Sequence, residues 1–200
     1  MEAAVHWDSI YTSRSTDEMS WTQESPTISV ELIGPRHDRT SIIDVGAGVS
    51  TLADHLLDTG WTRIVLLDLS TEALQAVCCR LADRCAEVEL ITGAVLDFST
   101  DRPLDVWHDR AVFHFLHNED RSRYVATAAR SVQRGGHLVM ATFANDGPQQ
   151  CSGLPTMRYS ADELGSIFSP AFKLESSLRR IHVTPWGSEQ PFTWVVLRRI

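Results

Sequence analysis

Ser41-Ile42-Ile43-Asp44-Val45-Gly46-Ala47-Gly48-Val49-Ser50-Thr51 is the stretch on which the fold turns. Its first five residues, Ser41–Val45, form a short, mostly apolar run suited to a buried strand. Leu52, Leu56 and Leu57 then recur at helical spacing as far as Gly60, which predicts a helix over Ser50–Thr59. Gly46 and Gly48 fall where strand must turn into helix, a place where a side chain obstructs both the turn and the approach of a ligand to the backbone. A strand, a glycine-rich turn and a helix in this order open a nucleotide-binding α/β unit.

The same rhythm continues outward. Arg63–Asp68 is a second strand, and its terminal carboxylate lies about 20 residues past the turn, the spacing at which an acid accepts ribose hydroxyls. Ser70 or Thr71 is predicted to cap a helix to about Cys85, with Leu74, Cys78, Leu81 and Cys85 facing inward. Val88–Gly93 and Val106–Asp109 are the third and fourth strands. Asn118 is predicted to cap a helix carrying Tyr124, Val125, Ala128, Ala129 and Val132 that Gly135-Gly136 ends, before a fifth strand, His137–Phe143. Ser160-x-x-Glu163 is a capping box for a helix that stops before Pro170. Phe172–Val183 and Phe192–Arg199 form an antiparallel pair around a Pro185–Pro191 turn. The expected fold is α/β, a Rossmann-like three-layer sandwich with a mostly parallel seven-stranded sheet and a reversed edge strand from the C-terminal hairpin. Ligands of such sheets bind past the carboxyl ends of the strands.

Two hundred residues, 43% of them hydrophobic, suit one domain over residues 41–200 behind an N-terminal helical segment, 1–40. A formal charge of −8 argues against a nucleic-acid partner, which requires clustered cations. Arg179-Arg180 and Arg198-Arg199 could form a local basic patch but read more simply as solvated strand ends. MEAAVHWDSIY has neither the basic region nor the apolar core of a signal peptide, and no stretch reaches the ~18 apolar residues of a membrane span. A cytoplasmic chain without a membrane partner is therefore expected. Its four cysteines (78, 79, 85 and 151) should be reduced, with Cys78 and Cys85 serving as core packing.

Asp44-x-Gly46-x-Gly48 resembles the first motif, E/D-x-G-x-G, of the class I S-adenosylmethionine-dependent methyltransferases. Thr51 stands where a dinucleotide enzyme prefers a third glycine. Asp105–Leu116 resembles the fourth-strand motif of that family and Arg134-Gly135-Gly136-His137 its turn into strand five, so the resemblance runs from Ser41 to Ile200. It implies S-adenosyl-L-methionine as cofactor and S-adenosyl-L-homocysteine as product. The methionine part would lie on Asp44, Gly46, Ala47 and Gly48, the ribose on Asp68 beside Leu69, and Asp109-Arg110 would border cofactor and acceptor. Ala94 stands where the family often has an acid for adenine, which implies backbone contacts from Ala94 and Val95, or Asp97 as a substitute. Trp7-Asp8-x-x-Tyr11 … Ser20-Trp21 resembles the family's N-terminal lid, with Trp21 over the cofactor and aromatic anchoring of a helix as the plain alternative.

Methyl transfer is an in-line displacement, so the protein aligns the nucleophile and, for some acceptors, removes its proton. The polar candidates are His108, Asp109, His114, Cys151, Arg158, Tyr159 and His182. His114 is the expected base, with Asp109 as the second catalytic candidate and a structural histidine as the competing reading of His114. The long loop Asn145–Tyr159 should be functional, and the turn after His182, with Gln190, is either a pocket wall or a plain hairpin turn. Cys151 suits a soft acceptor but alone makes no metal site, so no metal is expected. The expected acceptor is a small-molecule thiol, hydroxyl or amine. A protein lysine is the alternative, although lysine enzymes often carry Asp-Lys-Gly where this chain has Asp109-Arg110-Ala111. A non-catalytic S-adenosylmethionine-binding module is the reading from another class.

Overall fold

The computed structural model describes residues 2–35 and 40–200. Residues 1 and 36–39 of the N-terminal segment expected over 1–40 lie outside the described residues. Seven strands form the main sheet in the order β3-β2-β1-β4-β5-β9-β8. They are β1 (Ser41–Val45), β2 (Arg63–Asp68), β3 (Val88–Thr92), β4 (Leu104–Arg110), β5 (Val132–Phe143), β8 (Phe172–Val183) and β9 (Glu189–Arg199). The β3-to-β5 strands run parallel. β9 runs antiparallel to β5 and to β8. The reversed strand is thus one place in from the edge, and the edge itself is β8, because the hairpin inserts its second arm against β5.

The centre of the sheet is buried on both faces, which is why β1 reads as an unbroken buried run. Alternation along the strands sorts the core into two layers. Ile42, Ile64, Leu66, Val106, Val139 and Trp194 pack on one face with Ile33 of α2 (Thr27–Ile33), Leu52 and Leu56 of α3 (Leu52–Asp58), and Leu74 and Val77 of α4 (Thr71–Leu81). Ile43, Val65, Trp107, Leu138 and Val195 pack on the other with Tyr124 and Ala128 of α5 (Asn118–Ser131) and Leu164 and Phe168 of α6 (Ala161–Phe168). An additional helix, α1 (Glu2–Ser13), precedes these elements.

Several boundaries differ from expectation. The helix expected to reach Cys85 stops at Leu81, because Ala82 takes a positive φ of 53° and a tighter turn, Ala82–Glu87, follows. A continuous helix would separate Cys78 and Cys85 by about 10.5 Å along its axis. The break brings their Cα atoms to 4.9 Å, and the two form a disulfide. The expectation of four reduced cysteines is therefore corrected: Cys79 and Cys151 are the free ones. His117, rather than Asn118, is the residue preceding α5. Gly135-Gly136 does not end that helix but lies inside β5, where the β4–β5 register shifts between Leu104 and Val106. The Asn145–Tyr159 segment contains a small hairpin, β6 (Gln150–Cys151) with β7 (Leu154–Pro155). The Ser160–Glu163 capping box forms as expected. Among the described residues, no helix is long and apolar enough to cross a membrane.

Candidate active site

Gly46 and Gly48 both adopt left-handed backbone conformations, with φ of 65° and 52°. A Cβ on Gly46 would stand 2.1 Å from Val112 Cγ2, and one on Gly48 would stand 2.5 Å from the Tyr11 hydroxyl. Only glycine therefore fits either place, for reasons of both backbone and space. The Gly48 N–H donates to one oxygen of Asp68 at 2.8 Å, and the Ser70 N–H donates to the other at 2.8 Å. Burial outweighs these two bonds and raises the Asp68 carboxyl to about 6. Burial, with Asp68 nearby, also pushes the Tyr11 phenol well above its ordinary range.

A cavity of about 710 Å³ lies over the carboxyl ends of the strands. Its wall includes Asp44, Gly46, Ala47 and Gly48 after β1, Asp68 and Leu69 after β2, Ala94 and Val95 after β3, and His108 and Arg110 of β4. Trp7, Tyr11 and Trp21 line it from the N-terminal segment. Trp7 meets Trp21 and Phe115 edge-on, with ring centroids 5.7 and 5.5 Å apart. Asp8 accepts the Ser70 hydroxyl at 2.7 Å, fixing α1 to the start of α4, while the same hydroxyl oxygen accepts the Ala73 N–H and caps α4. Asp97, the alternative adenine contact, is not in the wall; its carboxylate lies 3.4 Å from Arg123 on the surface.

On one side of this cavity lies a hydrogen-bonded chain of three buried side chains. Asp44 and His108 are register partners on β1 and β4, which brings Asp44 Oδ1 within 2.7 Å of His108 Nδ1. His108 Nε2 is 2.9 Å from Ser29 Oγ on α2. The carboxylate can only accept, so Nδ1 carries a proton, and in the neutral ring Nε2 accepts from the Ser29 hydroxyl. No sequence signal marked Ser29. Arg110 donates from Nη1 to the Trp21 carbonyl at 2.8 Å and lies 5.5 Å from the centre of the Phe192 ring. Burial lowers its guanidinium to about 10, so it remains charged at neutral pH. Cys151 also lines the cavity, with its thiol pushed up by burial. His182 instead donates to the Ser20 carbonyl at 2.6 Å, and neither it, Arg158 nor Tyr159 is in the wall.

The two residues expected to be catalytic, Asp109 and His114, are fully buried and lie outside the wall. Asp109 accepts from the Val112 and Phe113 N–H groups and from the Tyr124 hydroxyl. Burial raises its carboxyl to about 6. His114 Nδ1 accepts the Phe143 N–H at 3.3 Å, and its ring lies 4.6 Å from that of Phe143. Burial, reinforced by Arg110, depresses the imidazole to about 3. Its folded value lies below the unfolded value near 6.5, so its contribution to stability is present above 6.5 and is lost as pH falls toward 3. By linkage this loss is about 2 kcal/mol at pH 5. Asp68 and Asp109, both raised, act in the opposite direction between about pH 4 and 6. The His114 part should therefore be read as a difference. Between pH 7 and 5, His114→Phe should lose about 2 kcal/mol less stability than wild type in urea unfolding. Parallel pH profiles would show that His114 is not held neutral by the fold.

The family model of a methyltransferase domain matches residues 42–136, the span that carries β1, the glycine turn, Asp68 and β4. This match and the shared fold are consistent with a class I, Rossmann-like S-adenosylmethionine-dependent methyltransferase. No curated protein matches this methyltransferase. Solved structures with the same fold do. One comes from work on the conversion of a disulfide bond into a thioacetal group during echinomycin biosynthesis, with a TM-score of 0.79, 19% identity, and coverage of 98% of this chain and 92% of that one. Another is an S-adenosylmethionine-dependent methyltransferase from Anabaena variabilis, with a TM-score of 0.76, 15% identity, and coverage of 100% and 96%. A third is the 1,6-didemethyltoxoflavin-N1-methyltransferase of Burkholderia thailandensis, with a TM-score of 0.70, 18% identity, and coverage of 99% and 88%.

The methyltransferase-domain match points to S-adenosylmethionine as the cofactor. The site suits it: a Cβ would fill the glycine cradle, and the Asp68 carboxylate faces the same cavity. Asp68→Ala should weaken S-adenosylhomocysteine binding by ~1–3 kcal/mol, measured by calorimetry. Unchanged affinity would remove Asp68 from the ribose contact.

Proposed function

We propose that this methyltransferase acts on a small-molecule thiol, hydroxyl or amine, and that His108 takes the acceptor's proton. The observation that carries this reading is the single cavity joining the glycine cradle to Asp44, His108, Arg110 and Cys151. Its volume of about 710 Å³ falls in the range of small-ligand sites. When bound, the cofactor supplies an electrophilic methyl group on a sulfonium. Gly46, Ala47 and Gly48 would hold its methionine part, Asp68 and Leu69 its ribose, and Ala94 and Val95 its adenine. Trp7, Tyr11 and Trp21 of the N-terminal segment would form a lid that keeps water out and orients the acceptor. His108 Nε2 receives the proton in place of the Ser29 hydroxyl, and Asp44 stabilises the resulting imidazolium. Asp109 and His114 support the strand-four turn from behind. The substrate named for the Burkholderia neighbour, 1,6-didemethyltoxoflavin, agrees with a small-molecule acceptor.

Incubating the enzyme with radiolabelled S-adenosylmethionine and pools of thiols, phenols, amines and proteins tests this reading. Label should appear in a small-molecule pool. Label confined to protein lysines would overturn the acceptor class, and binding without transfer to any pool would favour a non-catalytic module.

A further inference from the structure

Arg110 is anomalous in its electrostatics. Its Nη2 is shielded from solvent and has no hydrogen-bond partner, and the guanidinium forms no ion pair among the described residues. The nearby acid, Asp44, gives its Oδ1 to His108 and acts on Arg110 only through space. A guanidinium largely withdrawn from water with neither a counter-ion nor full hydrogen bonding is electrostatically costly. Nη2 is closed to water and to the cavity alike, but Arg110 lines the cavity, where an anionic ligand can supply the missing counter-charge.

The position of Arg110 indicates which ligand. Adenine, ribose and methionine are expected past β3, β2 and β1. Arg110 ends β4, aligns with Ala141 of β5, and packs on Phe192 of β9. β5 and β9 lie on the far side of β4 from the strands that carry the cofactor cradle. We propose that Arg110 anchors a carboxylate carried by the methyl acceptor, placing the enzyme's substrates among organic acids. This rests on the small-molecule reading above. The nucleophile of such an acid would sit within reach of His108, two residues back on the same side of β4.

The test uses the full chain saturated with S-adenosylhomocysteine and titrated with benzoate, 3-phenylpropionate and their amides, followed by saturation-transfer NMR. Each acid should bind at least ten-fold tighter than its amide to wild type. R110Q should abolish that preference, and R110K should retain part of it. No acid preference in wild type, a comparison that needs no variant, would overturn the proposal, as would a preference that survives in R110Q. Loss of S-adenosylhomocysteine binding in R110Q with unchanged 5′-methylthioadenosine binding would also overturn it, by assigning the guanidinium to the cofactor's own carboxylate. Label transfer to small molecules without acid preference sinks only this inference. Transfer solely to protein sinks the reading beneath it.

Discussion

Replacing His108 with glutamine is expected to slow methyl transfer by ~10²–10⁴-fold, the usual contribution of a positioned general base. The expectation follows from the Asp44–His108–Ser29 chain, in which bonds of 2.7 and 2.9 Å fix both ring nitrogens. Glutamine can still bridge Asp44 and Ser29 but cannot accept a proton. The loss should therefore fall on kcat, while S-adenosylhomocysteine affinity and the urea midpoint stay near wild type. Asp44→Asn should also slow transfer, because an amide can favour the other imidazole tautomer and no longer stabilises the imidazolium. Single-turnover rates with an identified acceptor provide the measurement. An undiminished rate in the glutamine variant would mean that the acceptor arrives already deprotonated or loses its proton to water.

The second large effect concerns stability. Asp109→Ala should destabilise the fold by roughly 3–5 kcal/mol, since it strands the Val112 and Phe113 N–H groups and the Tyr124 hydroxyl in a buried setting. Tyr124 also accepts the Trp107 indole N–H at 2.9 Å, so the damage reaches the centre of the core on that face. Asp109→Asn retains one accepting oxygen and should cost less. Urea unfolding of the two variants measures the difference. A stable Asp109→Ala protein that cannot transfer methyl groups would give Asp109 a chemical role instead.

Local spacing made the cradle legible: a strand, two glycines and a carboxylate 20 residues past Gly48 are all sequence-adjacent signals, and their residues share one cavity wall. The face of β4 was not legible at single-residue resolution. Side chains alternate along a strand, so His108 and Arg110 point into the cavity while Asp109 between them points toward α5. A motif read as a block hides that alternation. His114 lies in a tight turn, Phe113–Phe115, that returns its ring to the core beside Phe143. Ser29 became visible only once α2 had packed across β4, a contact between residues 79 positions apart. The disulfide was missed because inward spacing assumes a continuous helix, and Ala82 breaks it.

The Ser70 hydroxyl has one further consequence. It secures α1 through Asp8 and starts α4 through Ala73, two bonds on opposite sides of a single oxygen. Withdrawing Asp8 breaks the first of these and leaves the second. The hydroxyl can then turn its proton to water while its oxygen continues to hold α4. Detaching the N-terminal helix at this point costs the Ser70 bond, about 1.5–3 kcal/mol before water replaces it, together with a long 3.5 Å bond from the Glu72 N–H, and leaves the receiving end of the latch in shape. If α1 opens as the proposed lid, the strike plate stays in place when the door swings, and reclosure needs no refolding of the frame.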